Sequence, residues 1–178
     1  TLLDTAPDIH VCAVKALATE GLGPITLAQA RAFIGSGAPM FVTRALTALG
    51  ADPAGALHAR VLAAFLSVYD DAAALTRPYP GAIAALDALR DAGWRLGICT
   101  NKPEALAEQL MRALGVRGSF ASLVGADTLP VRKPDPEPLF EAARRAGGDP
   151  GRTILIGDSD TDRNTSAAAG VPSVLVTF

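Results

Sequence analysis

The segment Thr76-Arg77-Pro78-Tyr79-Pro80-Gly81 sets two prolines and a glycine within six residues, and no helix runs through such a stretch. It divides the chain into two parts with different periodicity. Before it, Ile9, Ala13 and Leu17 recur at i, i+4, i+8; Val42, Leu46 and Leu49 at i, i+4, i+7; and Leu57, Val61, Phe65 and Val68 at i, i+4, i+8, i+11. These are the single apolar faces of amphipathic helices. Gly21-Leu22-Gly23-Pro24, Gly35-Ser36-Gly37 and Gly50-Ala51-Asp52-Pro53 supply residues that end one helix or open the next. Residues 5–76 therefore read as a small helical bundle.

After the break, helices alternate with short apolar strands. The spacing predicts helices over about 81–92, 103–114, 136–146 and 162–169. The third has Asp135 as its N-cap, Pro136 in its first turn and Gly147-Gly148 as its stop. The strands are expected at 94–100, 122–125, 153–157 and 173–176. They are near-continuous apolar runs, the pattern of strands covered on both faces. Helices alternating with buried strands imply a parallel sheet in a doubly wound α/β domain.

Composition narrows the partners. With 178 residues, 49% of them hydrophobic, the chain can bury a core domain and a small accessory one. The net charge is −2 and no block of Lys or Arg occurs, which argues against a nucleic-acid or anionic-membrane surface and leaves a small molecule as the expected partner. Cys12 and Cys99 form no CxxC motif and no His cluster accompanies them, so neither a disulfide framework nor a zinc site is suggested. No apolar run approaches the roughly 20 residues of a membrane span. Residues 1–15 lack a basic start followed by an apolar block. The expectation is a cytoplasmic protein, monomer or homodimer.

In an open parallel sheet, ligands bind beyond the carboxyl ends of the strands. The residues there are polar: Thr100-Asn101-Lys102 after one strand, and Gly157-Asp158-Ser159-Asp160-Thr161-Asp162 after another. Between them lies Arg132-Lys133-Pro134-Asp135-Pro136, a cation in a proline-stiffened loop. Together these are the parts of a phosphate site with a divalent metal. Mg²⁺ takes one or two hard carboxylates plus substrate oxygens. Thr100 and Asn101 can contact a phosphoryl group, and Lys133 supplies a point charge. Each part also has a plainer reading: Asp158, Asp160 and Asp162 as caps and first-turn acids, Thr100-Asn101 as a turn, Lys133 as a solvated lysine. Three complementary groups in chain order are harder to obtain from caps and turns. His10 and His58 are far in sequence from these segments, and no Ser or Cys follows a strand as a nucleophile elbow, so triad hydrolysis fits poorly. Cys99 reads as a small apolar strand residue.

The order of the motifs carries a resemblance. Thr1-Leu2-Leu3-Asp4-Thr5 looks like the tail of the first signature, DxDGT, of the haloacid dehalogenase (HAD) superfamily. Thr100-Asn101 matches its second motif, Lys133-Pro134 its third and Gly157-Asp158-Ser159 with Asp162 its fourth. Within the superfamily, Asp127 to Leu139, Ile34-Gly35-Ser36-Gly37-Ala38-Pro39 and Tyr79-Pro80-Gly81 are similar to bacterial phosphoglycolate phosphatases.

The resemblance implies a Rossmann-like (HAD-like) core over 1–4 and 77–178 with an inserted α-helical cap over 5–76. It implies a Mg²⁺-dependent phosphatase acting on a small phosphorylated metabolite, 2-phosphoglycolate foremost. Asp158 would bind the metal, with Asp162 supporting it from behind or lying beside it; Thr100 and Asn101 would serve the phosphoryl group, and Lys133 both nucleophile and phosphate. Gly35 and Gly37 are either an interhelical turn or a loop approaching the substrate, and Arg44 is the nearest cation for a substrate carboxylate. Alternatives are a pyrophosphatase, a sugar-phosphate phosphatase or mutase, or a non-catalytic phosphate-binding relative. Metal-free dehalogenation is disfavoured by the Asp158 and Asp162 pair. The family's nucleophile, an Asp that forms an aspartyl-phosphate, is expected upstream of Thr1 on a strand ending in Asp-x-Asp-Gly. The 178 residues by themselves are accordingly expected to be inactive and poorly folded.

Overall fold

The computed structural model describes residues 1–69 and 74–177. The chain forms two compact units, one of Leu3–Arg77 and one of Thr1–Leu2 with Pro78–Phe178. Residues 70–73 of the expected helical stretch lie outside the described residues.

The first unit holds four helices, α1 (Ala6–Ala18), α2 (Leu27–Phe33), α3 (Ala38–Ala48) and α4 (Gly55–Tyr69). The residues singled out by periodicity form its core: Ile9, Ala13, Leu17, Val42, Leu46, Val61 and Phe65 are all buried. Phe41 stacks on Phe65 at 5.4 Å between centroids, and Phe65 on Tyr69 at 5.2 Å. Thr26 and Gln29 close a reciprocal capping box at the start of α2. Polar contacts tie the ends of the unit. Asp8, buried in the first turn of α1, accepts from the Thr76 amide at 2.7 Å and the Thr76 hydroxyl at 2.6 Å. Where the chain passes between units, strands β1 (Leu3–Asp4) and β2 (Arg77–Pro78) pair.

The second unit is a Rossmann-type α/β arrangement. Its elements are α5 (Ala82–Asp91), β3 (Gly97–Cys99), α6 (Glu104–Ala113), β4 (Ser122–Val124), α7 (Glu137–Arg145), β5 (Leu155–Gly157), α8 (Asp160–Ala169) and β6 (Ser173–Leu175). Among the described residues the strands are hydrogen-bonded as two parallel pairs, β3 with β4 and β5 with β6. Helix α7 packs against β3 and β4, and α8 against β5 and β6.

Three local expectations are corrected. Strand β3 starts at Gly97 rather than Trp94, whose side chain is left exposed. Helix α7 is capped at Pro136, although Asp135 still accepts the Glu137 amide at 2.9 Å. Helix α8 starts at Asp160 because Ser159, not an aspartate, is its N-cap.

Candidate active site

The loops after β3, β4 and β5 carry the polar groups of the α/β unit, and hydrogen bonds join three of the expected segments. Ser159 and Asp162 form the capping box of α8: the Ser159 hydroxyl accepts the Asp162 amide at 3.3 Å and donates to Asp162 Oδ2 at 2.6 Å. The amides of Ser159 and Asp158 donate to the same oxygen, at 3.1 and 3.2 Å. That leaves Asp162 Oδ1 for Lys133, whose Nζ lies 2.6 Å away, with the two side chains only 9% and 7% exposed. The Lys133 carbonyl in turn accepts from Asn101 Nδ2 at 3.1 Å. Asn101, Lys133, Asp162 and Asp158 thus belong to one hydrogen-bonded chain spanning three loops.

Gly157 is required for this geometry. A Cβ there would come within 2.7 Å of Asp162 Oδ2 and closer still to its Cβ and Cγ, so only glycine lets the carboxylate fold back on the strand end.

Burial by itself raises the Asp162 carboxyl. The charge and hydrogen bond of Lys133, with the Ser159 hydroxyl and the Asp158 amide, outweigh it and hold the group below its ordinary 3.8. Lys133 is therefore a cation fixed by a buried carboxylate rather than a solvated surface lysine. An ammonium has three donors, so the pairing with Asp162 leaves it able to meet a further anion.

Thr100 receives the Lys102 amide on its hydroxyl at 3.1 Å, and its own amide bonds the Val124 carbonyl at 3.0 Å. Asp158 has a half-exposed side chain, 40% accessible, and accepts from the Thr1 hydroxyl at 2.6 Å. Among the described residues no group of three or more His, Cys, Asp or Glu side chains forms a metal cage. Mg²⁺ does not need one, since it keeps waters and takes one or two carboxylates with substrate oxygens. Asp158 fits such a site. Asp162, with both oxygens engaged, fits a supporting position that holds Lys133 and the Asp158 loop.

The remaining candidates belong to the helical unit. Gly35 and Gly37 have φ of 123° and 85°, in the region that favours glycine, as the turn between α2 and α3 requires. Arg44 donates from Nη1 to the Phe33 carbonyl at 3.0 Å and so caps the end of α2. His10 and His58 bond the carbonyls of Ile25 and Pro39. Burial pushes the Cys99 thiol up to about 11, which argues against a thiolate nucleophile. The Ser159 role was legible as Ser-x-x-Asp before a helix, yet it entered the expectations only as part of a motif. Among the described residues no helix is long and apolar enough to cross a membrane.

Comparison with known proteins places the chain in a family. The family model described as haloacid dehalogenase-like hydrolase matches residues 1–170. A phosphoglycolate phosphatase of Cereibacter sphaeroides is 44% identical over 178 residues, covering 99% of this chain and 81% of the relative. One from Mesorhizobium japonicum is 44% identical over 179 residues, covering 100% and 79%. The crystal structure of a predicted phosphoglycolate phosphatase from Haemophilus somnus 129PT superposes with a TM-score of 0.89 at 26% identity, covering 100% of this chain and 81% of that one. The chain belongs to the haloacid dehalogenase-like hydrolases.

Proposed function

We propose that the protein is a Mg²⁺-dependent phosphatase whose leading substrate is 2-phosphoglycolate. The observation that carries this reading is the buried Lys133–Asp162 pair, linked to Asn101 on one side and to the Asp158 loop on the other. It ties a fixed cation to the loop that carries the exposed Asp158 carboxylate, and a doubly charged phosphoryl group and a divalent ion need that combination of charges. The curated phosphoglycolate phosphatases, at 44% identity over nearly the whole chain, support the substrate.

In this reading Lys133 binds the transferring phosphoryl oxygens, and Asp162 keeps the ammonium in place. The Thr100 hydroxyl and the Asn101 segment orient the phosphoryl group. Asp158 holds Mg²⁺, which supplies positive charge against the phosphoryl oxygens when bound. The aspartate nucleophile of the family's first motif attacks phosphorus as the phosphorus–oxygen bond to glycolate breaks, and the departing oxygen takes a proton from that motif's second Asp; water then hydrolyses the aspartyl-phosphate, releasing inorganic phosphate and restoring the carboxylate. The helical unit serves as the cap, with Gly35, Gly37 and Arg44 its candidates for substrate recognition.

The test is a panel of phosphoesters with the full-length protein, with and without Mg²⁺. The highest kcat/KM is expected for 2-phosphoglycolate, and Asp158→Ala should remove Mg²⁺-dependent turnover while the unfolding midpoint is kept. A hexose phosphate or pyrophosphate preferred by about tenfold, or about 1.4 kcal/mol in the transition state, would move the enzyme to another substrate class. Wild-type rates in Asp158→Ala would remove that residue from the site.

A further inference from the structure

The chain from Thr100 to Glu104, which carries Thr100 and Asn101, is cross-linked to the end of β4 and the loop after it at several points. The Thr100 amide bonds the carbonyl of Val124 at the end of β4, and the Ala126 amide bonds the Lys102 carbonyl, both at 3.0 Å. Side chains then take over. The Glu104 amide, at the first turn of α6, donates to Asp127 Oδ1 at 2.7 Å. The Gly125 amide donates to Thr128 Oγ1 at 2.7 Å, and that hydroxyl donates onward to the Glu104 carboxylate. One threonine hydroxyl thus accepts from its own loop and donates to the other.

Gly125 shows that the two loops have no slack between them. A Cβ there would lie 2.8 Å from the Glu104 Cβ and closer still to the Glu104 backbone N and Cα, so a side chain at 125 must force the start of α6 away. Gly125 itself is buried, so its amide depends on Thr128 rather than on water.

We infer that Gly125, Asp127 and Thr128 are positioning residues for the phosphoryl-holding loop, with the Thr128 hydroxyl as the link on which the contact depends. None of the three touches the reacting atoms. They set where Thr100 and Asn101 stand by fixing Glu104, just beyond that loop, against the loop after β4. The inference rests on the phosphatase reading above for its catalytic consequence, and on geometry alone for the contact between the loops. A loop displaced by about 1 Å is sufficient to lower a rate about 100-fold.

The test uses the full-length protein with Thr128→Val, Thr128→Ser and Gly125→Ala. Three readouts are taken: amide hydrogen exchange across residues 100–104, kcat/KM with p-nitrophenyl phosphate as a general substrate, and inhibition by inorganic phosphate. Thr128→Val is expected to speed exchange at 100–104, to lower kcat/KM at least about tenfold and to weaken phosphate inhibition by a similar factor. Thr128→Ser, which keeps the hydroxyl, should restore all three to within about twofold of wild type, something a purely packing role for the Thr methyl would not produce. Gly125→Ala should reproduce the Val effects, and it stands in if Thr128→Val fails to fold. Unchanged exchange in the Val and Ala variants would overturn the contact. Faster exchange with wild-type kcat/KM and phosphate inhibition would overturn the positioning role. A wild-type protein that hydrolyses no phosphoester, but whose exchange responds as described, would sink the phosphatase reading and leave the loop contact standing.

Discussion

The core of the helical unit and the strand-end loops of the α/β unit are held by different means. In Leu3–Arg77 a contiguous apolar cluster, from Ile9 on α1 to Phe65 on α4, is buried within the four helices. In the α/β unit, Leu110, Met111, Leu123, Val124, Leu139 and Leu155 are buried as well, but all of them lie within helices and strands. What orders the strand-end loops there is polar: the Lys133–Asp162 pair, the Ser159 capping box and the Thr128 link to Glu104. Apolar burial is non-directional and tolerates small shifts, whereas a hydrogen bond fixes distance and angle. The polar scheme belongs where chemistry needs atoms held in place.

That contrast can be broken by substitution on either side, and the largest effect belongs to the apolar one. Phe65→Ala should cost about 3–5 kcal/mol, because the ring stacks between Phe41 and Tyr69 and its neighbours relax only partly into the cavity. Urea unfolding of the full-length protein measures it. A loss below about 1 kcal/mol would mean that the cluster is not what holds the helices.

Lys133→Ala should cost about 1.5–3 kcal/mol at neutral pH, the range of hydrogen bonds to charged groups, since Asp162 keeps its Ser159 and Asp158 donors. The pH dependence sharpens this. The folded-state value of Asp162 is depressed below its ordinary 3.8, so its contribution is fully present above about pH 4 and is lost as pH falls through the folded value. Wild-type protein should therefore lose stability more steeply on acidification below pH 4 than Lys133→Ala does. Parallel acid limbs in the two proteins would deny the pair any role in stability.

The smallest effect is expected at Arg31→Ala. Arg31 meets Asp4 with two bonds of 2.9 and 2.7 Å, and its hydrogen bonds lower the Asp4 carboxyl despite some burial. The side chains remain 44% and 25% exposed, so the loss should be about 0.2–1 kcal/mol and should shrink with added salt. A larger, salt-independent loss would show that the Arg31–Asp4 pair joins the Asp8–Thr76 bonds as a directional contact on which the helical unit depends.

The helices of Leu3–Arg77 were legible because amphipathic periodicity is local: Ile9, Ala13 and Leu17 share one face of a helix whatever lies opposite. The placement of Thr100, Lys133 and Asp158 at loops or strand ends was legible for a related reason, since apolar runs end where polar groups begin. What the sequence determined by itself was therefore the α/β and helical division, the extent of most elements and the chemical types present at the strand ends. Tertiary structure decided how those groups are used. Asp162, expected beside the metal or in support of it, has both oxygens engaged by Lys133, Ser159 and the Asp158 amide; Arg44 reaches the Phe33 carbonyl; and Thr128 links its own loop to Glu104. Lys133 is 29 residues from Asp162, and Thr128 is 24 from Glu104. Spacing along a chain says nothing about pairs so far apart, because which donor meets which acceptor depends on where separate loops are carried by the packing of the elements between them.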